Sequence, residues 1–322
     1  MSGTSMRESV KRTIRAVMPL PLILVVFNRL TIFKWRLRGY KVSSDGTCYR
    51  IEKDNRQIRL ARSQAIYLED TLAHFDFYFS GVEPIRANGM EIVDYSLPHW
   101  HVVKGFDLFP VYFPAVAEPM LTTAQYVEFA AFTPGSVVID LGAYSGLTSI
   151  VFDQALHGDG RVIALEADKL NSTACKKNFA LYNRFSGRSV ELVEAAVWKD
   201  NNGISFSSEG SMGSSAVDIV GTGRGEHTKV SSVTLQRLAE QFGLDRVDFI
   251  KCDIEGGEVA IFDQPEFFAR FKPKIVIECH DLKGANTSTI CEAALGKFGY
   301  TFQLVEQHGY PLPLLMCTPD RA

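Results

Sequence analysis

The chain lacks an apolar run of the length a membrane-spanning helix needs, about 20 residues. Its nearest approach, "AVMPLPLILVVF" at 16–27, runs straight into "NRLTIFKWRLRGY". No small-residue cleavage site follows, so basic residues ahead of this run do not make it a signal peptide. Close cysteine pairs are also missing. Cys48, Cys175, Cys252, Cys279, Cys291 and Cys317 are scattered, which excludes zinc and redox motifs built on paired cysteines. Three of them sit in apolar strand-like runs and read as small buried hydrophobes, which suggests a reducing, cytoplasmic compartment. Neither sign of charge dominates. The formal net charge of −3 gives no electrostatic footprint for nucleic acid. Repeats and low-complexity tracts are absent.

The basic residues that are present are unevenly placed. Between Arg7 and Lys41, Glu8 is the sole acid among Lys11, Arg12, Arg15, Arg29, Lys34, Arg36 and Arg38. This stretch reads as a basic amphipathic segment that packs on the body of the protein or on a second copy, leaving room for a homodimer. Weak contact with a membrane surface is the minority reading.

The pattern divides near residue 115. Residues 1–115 read as a small accessory α+β region. "TCYRIEKDNRQIRLA" reads as a hairpin, with Tyr49, Ile51, Ile58 and Leu60 alternating around its turn. Helical spacing follows at Ile66, Leu68, Leu72, Phe75 and Phe79. Residues 116–322 alternate strands and helices. Strands are expected at 137–141, 161–166, 190–197, 247–253, 274–280, 300–306 and 312–317. Helices are expected at 146–156, 169–182, 235–242, 256–263 and 285–298, after a first one in "TTAQYVEFAAF" with Thr122 or Thr123 as its cap. Strands this uniformly apolar predict a parallel sheet covered by helices on both faces. The last two strands are joined by "QHGYP", too short for a parallel crossover, so they should be antiparallel. Residues 201–229, rich in Gly and Ser, interrupt the alternation. They read as one short strand and a mobile loop, either a surface excursion or a wall of the substrate cleft.

The carboxyl end of the first of these strands carries "DLGAYSG". Ligands of doubly wound sheets bind at such ends. Gly142 permits a tight turn, and Gly146 lets a helix start close to the sheet. Glu166 closes the second strand, where an acid accepts hydrogen bonds from ribose hydroxyls. The spacing is not that of a dinucleotide fingerprint. Tyr144 and Ser145 stand where a pyrophosphate needs close backbone, and Asp140 would repel phosphate. An acid there suits a ligand bearing an ammonium and a sulfonium, which favours S-adenosylmethionine. An NAD-dependent dehydrogenase and a non-catalytic cofactor-binding module that scaffolds a partner are the competing readings.

On "VVIDLGAYSGLTSI", "GRVIALEAD", "VELVEAAVWKDNN", "KVSSVTLQRLAEQFGLDRVDFIKCDIEGGE" and "PKIVIECHD" the chain resembles the FkbM family of S-adenosylmethionine-dependent methyltransferases. The "DFIKCDIEGGE" block is the most specific of these. The resemblance implies a Rossmann-like class I methyltransferase sheet of seven strands with an antiparallel last strand. It also implies O-methylation of a small-molecule or glycan hydroxyl, on a sugar or natural product. Carried over by position, Asp140, Gly142 and Gly146 line the methionine portion, Glu166 the ribose, and the Ala195–Ala196 backbone the adenine. Ala143, Tyr144 and Asp253 complete the expected cofactor contacts. The family usually has Asn where this chain has Tyr144.

Lys251 sits in a strand that should be buried, where an unpaired charge is costly. It is expected near Glu278 or Glu255, as an ion pair that braces the sheet or as a base with a lowered pKa. Asp253, Glu255 and His280 lie at strand ends where an acceptor would meet the methyl group. His280 is the better base by intrinsic pKa, with Asp253 to orient it. No metal centre is assigned, although Asp253 and His280 could share a divalent ion. His99, His101, Ser214 and Ser215 are weaker candidates.

Overall fold

A computed structural model describes residues 20–208, 214–216, 226–282 and 285–320. The chain forms two compact units, Met1–Leu97 and Pro98–Ala322. The boundary falls earlier than the change of sequence pattern near 115, for a physical reason. Strands His99–His101 and Val111–Phe113 pair with each other. The second of them is tied to the helix Lys169–Ser186, because Tyr112 N donates to Asn178 Oδ1 at 2.8 Å and Asn178 Nδ2 donates to the Tyr112 carbonyl at 2.9 Å.

The first unit is built on a five-stranded sheet. Its central hairpin pairs Cys48–Lys53 with Arg56–Ala61, placing Ile51 opposite Ile58 and Tyr49 opposite Leu60, as the alternation predicts. Asp54 and Asn55 both adopt positive φ, 48° and 59°, the backbone a two-residue hairpin turn requires. The apolar spacing of 66–79 is helical but broken into three short pieces, with His74 as the joint between Leu68–Ala73 and Phe75–Ser80. The helix Leu20–Arg36 buries Asn28, Thr31 and Trp35, and exposes Val26, Phe27, Leu30 and Phe33. Trp35 Nε1 donates to Glu69 Oε2 at 3.0 Å. Among the described residues no helix is long and apolar enough to cross a membrane.

The second unit holds a seven-stranded sheet. Its strands are β1 (Ser136–Leu141), β2 (Gly160–Leu165), β3 (Glu191–Val193), β4 (Phe249–Cys252), β5 (Lys274–Glu278), β6 (Tyr300–Glu306) and β7 (Pro313–Pro319), in the order β3-β2-β1-β4-β5-β7-β6. β1 to β5 pair in parallel, and β7 runs antiparallel between β5 and β6. This is the class I methyltransferase topology. The order reverses between β1 and β4, so their carboxyl ends open a crevice there. Helices α1 (Met120–Ala130), α2 (Leu147–Ala155), α3 (Lys169–Ser186), α4 (Leu235–Gln241), α5 (Pro265–Arg270) and α6 (Ser288–Gly296) accompany the sheet.

Four expectations are corrected here. The strand expected at 190–197 is two: after β3 the chain turns at Glu194, and Ala196–Val197 pairs with Ser232–Val233 outside the main sheet. The helix expected at 256–263 is one turn of 3-10 helix, Gly257–Ala260, because Glu255 and Gly256 take positive φ. α1 starts earlier than its threonines, at Pro119, and Thr123 is buried against Thr148, with Oγ1 atoms 3.0 Å apart. The Gly/Ser-rich interruption is more ordered than expected at its edges. Ile204–Ser208 is the middle strand of a three-stranded sheet with Ser215–Ala216 and Glu226–Val230. The remainder of that loop lies outside the described residues. All six cysteines are free and buried.

Candidate functional site

A cleft of about 650 Å³ opens at the carboxyl ends of β1, β2 and β4. Its floor is the β1–α2 loop. Gly142 has φ 78° and no space for a side chain, since a Cβ would lie 1.9 Å from the Asp253 carbonyl oxygen. At Gly146 a Cβ would lie 2.5 Å from the Phe179 ring, so this glycine lets α2 start against α3. Tyr144 is buried with φ 52°, and its hydroxyl donates to the Val116 carbonyl at 2.7 Å.

Glu166 follows β2. One carboxylate oxygen accepts from Tyr144 N and the other from Asp168 N, both at 2.8 Å. Burial pushes its pKa up to about 8, against the lowering effect of those two N–H groups. Beyond it, Ala195, Ala196, Trp198, Ile204, Phe206 and Ala216 make an apolar wall. Asp168 anchors this wall. It caps α3 by accepting from Leu170 N and Asn171 N, and it accepts from the hydroxyl of Ser214 at 2.8 Å and from that of Ser208. Ser214 is thus turned to Asp168. Neither His99 nor His101 lines the cleft; their rings lie against each other, centroids 4.0 Å apart.

The opposite side of the cleft is acidic. Asp140 is fully buried, and its Oδ1 has no hydrogen-bond partner. Burial raises its pKa, opposed by Lys251. Glu118 lines the cleft from the segment before α1 and accepts from Ser145 Oγ at 3.2 Å. Burial lifts it to about 7, and Asp253 and Asp140 add to the rise.

Lys251 pairs across the ladder with Asp140, which corrects the expectation of Glu278 or Glu255. Its Nζ donates to the Gly142 carbonyl at 2.7 Å and lies 3.4 Å from Asp140 and 3.6 Å from Asp253. Burial would lower its pKa, but Asp140, Asp253, Glu118 and Glu278 together raise it above the ordinary lysine value. This direction is opposite to the lowered pKa that the base reading expects.

His280 stands behind Asp253. Its Nε2 is 3.7 Å from Asp253, 3.6 Å from Glu278 and 3.8 Å from Glu255, while its Nδ1 is 3.1 Å from Glu258. Burial would lower its pKa, yet Glu255, Glu258 and Asp253 raise it well above the ordinary value. Of the residues singled out from sequence, Gly142, Tyr144, Glu166, Ala195, Ala196, Ser214, Asp253 and Glu255 line the cleft. Asp140, Ala143 and Gly146 lie beneath the loop, buried. Lys251 and His280 meet the cleft through Asp253. Sequence reasoning missed Glu118, Trp198 and Phe206. Glu118 left one signal, a lone acid in the apolar "FPAVAEPM".

An acidic pocket beside an apolar wall fits a ligand with a cationic end and an aromatic end. Glu118 and Asp253 line the acidic side of the cleft, with the Asp140–Lys251 pair beneath it, and Glu166 offers its remaining lone pairs to hydroxyls. The methyltransferase FkbM domain family matches residues 140–312. Among solved structures, a methyltransferase FkbM from Methylobacillus flagellatus KT is 15% identical, with a TM-score of 0.43, over 60% of this chain and 50% of its own. A precorrin-6y C5,15-methyltransferase from Geobacter metallireducens GS-15 is 20% identical, with a TM-score of 0.37, over 62% and 87% respectively. An O-methyltransferase from Bacillus cereus, solved with S-adenosylhomocysteine, is 12% identical, with a TM-score of 0.35, over 62% and 79%. A search of curated proteins finds no match.

Proposed function

The chain belongs to the FkbM methyltransferase family, and from that premise we propose that it methylates a hydroxyl of a sugar or a similarly hydroxylated natural product. It is an S-adenosylmethionine-dependent methyltransferase; the bound cofactor supplies an electrophilic methyl carbon. Asp140, Glu118 and the Gly142 carbonyl hold the cationic methionine end. Glu166 takes the ribose hydroxyls. The Ala195–Ala196 backbone and the Trp198 side of the wall take the adenine.

One observation carries the acceptor class: Asp253 and Glu255 line the cleft, and their carboxyl oxygens accept hydrogen bonds. They suit an acceptor that presents several hydroxyl donors. Asp253 orients the hydroxyl and takes its proton as the bond to carbon forms, a role worth about 10²–10⁴-fold in rate. Lys251 and His280 flank Asp253 and hold it in place. Incubation of the protein with methyl-labelled S-adenosylmethionine and cell extract tests this reading. The expected product is an alkali-stable methyl ether. Label in an amine or an alkali-labile ester would refute the hydroxyl acceptor, and no label in any molecule, despite cofactor binding, would favour the scaffold reading.

The exposed strip Val26, Leu30, Phe33 and Leu37, flanked by Arg29, Arg36 and Arg38, fits weak contact with an anionic membrane surface. Cosedimentation with phosphatidylserine vesicles reads that contact, and light scattering without lipid reads a homodimer on the same strip. The free, buried cysteines fit a reducing, cytoplasmic setting.

A further inference from the structure

Four side chains, Asp253, Glu255, Glu278 and His280, meet at the edge of the cleft, and the last two have no part in the cofactor reading. Asp253 follows β4, Glu278 ends β5, and His280 lies two residues beyond it. One donor atom from each lies within 4.8 Å of the others. His280 Nε2 is shielded from solvent and has no hydrogen-bond partner. Its distances of 3.6 Å to Glu278 Oε1, 3.7 Å to Asp253 Oδ1 and 3.8 Å to Glu255 Oε1 exceed hydrogen-bond length. They approach the separation of neighbouring donors on one ion: bonds of about 2.0–2.2 Å put such donors roughly 3.0–3.6 Å apart.

The surroundings orient these atoms. Nδ1 of His280 lies 3.1 Å from Glu258 Oε1, and that oxygen also accepts from Thr287 Oγ1 at 2.8 Å. Giving its Nδ1 proton to Glu258 leaves His280 with its Nε2 lone pair aimed at the carboxylates. A carboxylate behind the imidazole is the usual support of a metal-ligating histidine. Gln307 Nε2 donates to Glu278 Oε2 at 2.8 Å, which leaves Oε1 for the shared space. A proton on Nε2 would bond to none of the three oxygens at these distances, whereas a divalent ion would satisfy them together.

We propose that Asp253, Glu278 and His280 bind a divalent transition-metal ion, with Glu258 and Gln307 holding the ligands in place. Two carboxylates with one imidazole suit Mn²⁺, Fe²⁺ or Zn²⁺. Mg²⁺ and Ca²⁺ favour oxygen-only sites. The ion's consequence for the reaction, polarising an acceptor hydroxyl beside Asp253, rests on the hydroxyl reading above; its binding does not.

The test is Mn²⁺ titration of the full chain, stripped with chelator, without cofactor or acceptor, followed by electron paramagnetic resonance. One tightly bound Mn²⁺ per chain is expected, with a pulsed-resonance coupling to one imidazole nitrogen. Glu278→Gln and His280→Gln should each weaken binding at least about tenfold, and Glu258→Gln about 10–100-fold. Mg²⁺ should compete poorly. No bound Mn²⁺ at millimolar concentration, a bound ion without nitrogen coupling, or binding unchanged in Glu278→Gln and His280→Gln would overturn the site. The nitrogen coupling is read on the unaltered protein, so a variant that fails to fold does not spoil the test. Calorimetry with S-adenosylhomocysteine on the same sample separates the two readings: cofactor bound without Mn²⁺ refutes this site alone, and Mn²⁺ bound without methyl transfer refutes the reaction alone.

Discussion

Replacing Glu166 by glutamine should stabilise the protein at high pH while weakening its hold on the cofactor. The Glu166 carboxyl is 6% exposed, and its pKa stands at about 8 against 4.5 for the free side chain. In the folded state it therefore keeps its proton over a range where the unfolded chain has lost it. Stability from this group is fully present below about pH 4.5 and drains away as pH rises to about 8, then stays low. At about 1.36 kcal/mol per pKa unit, the swing is up to about 5 kcal/mol. Glutamine never ionises and so escapes the swing. It has one acceptor oxygen in place of two, and the Tyr144 and Asp168 N–H groups each need one, so it gives back about 1–3 kcal/mol. Urea titration of the cofactor-free protein, followed by circular dichroism, should find Glu166→Gln no more stable than the parent at pH 5. At pH 9 it should be more stable by up to about 2–4 kcal/mol, the net of those two terms. A difference between the two proteins that does not change from pH 5 to pH 9 would refute the ionisation argument. At neutral pH, calorimetry with S-adenosylhomocysteine should find the variant weaker by about 1–3 kcal/mol; unchanged affinity would remove Glu166 from the ribose.

Gly142→Ala should destabilise the fold by at least about 2 kcal/mol, because a Cβ would meet the Asp253 carbonyl at positive φ; a melting temperature near that of the parent would contradict the close approach. Lys251→Met leaves Asp140 and Asp253 without their buried cation and should cost about 3–5 kcal/mol in urea unfolding, so a loss below about 1 kcal/mol would show that the pair is not needed. Trp198→Ala should weaken S-adenosylhomocysteine about tenfold by opening the apolar wall, and an unaltered calorimetric titration would move the adenine elsewhere.

Several of the strands were legible because they are apolar almost without alternation, a pattern that buried parallel strands share and few other elements imitate. The antiparallel end of the sheet was legible from the shortness of "QHGYP" alone. The glycine loop could be read from types and spacing, since positive φ and absent side chains are properties of glycine itself. The break after β3 was not, because "VELVEAAV" carries apolar residues on both sides of the turn at Glu194.

The roles of Lys251 and His280 show where such reading stops. The sequence by itself determined that a lysine lies in a buried strand and needs an anion, because an unpaired buried charge is too costly. It could not name that anion. β4 has a neighbour on each side, and only the sheet order, with β1 beside it and Asp140 in register, selects the partner. Likewise the type of His280 sets its ordinary pKa, but the acids around it come from Asp253 and Glu255 after β4, Glu258 in the 3-10 turn and Glu278 on β5. Electrostatic energy depends on distance in space, and the tertiary fold alone brings those four carboxylates within 4 Å of one imidazole.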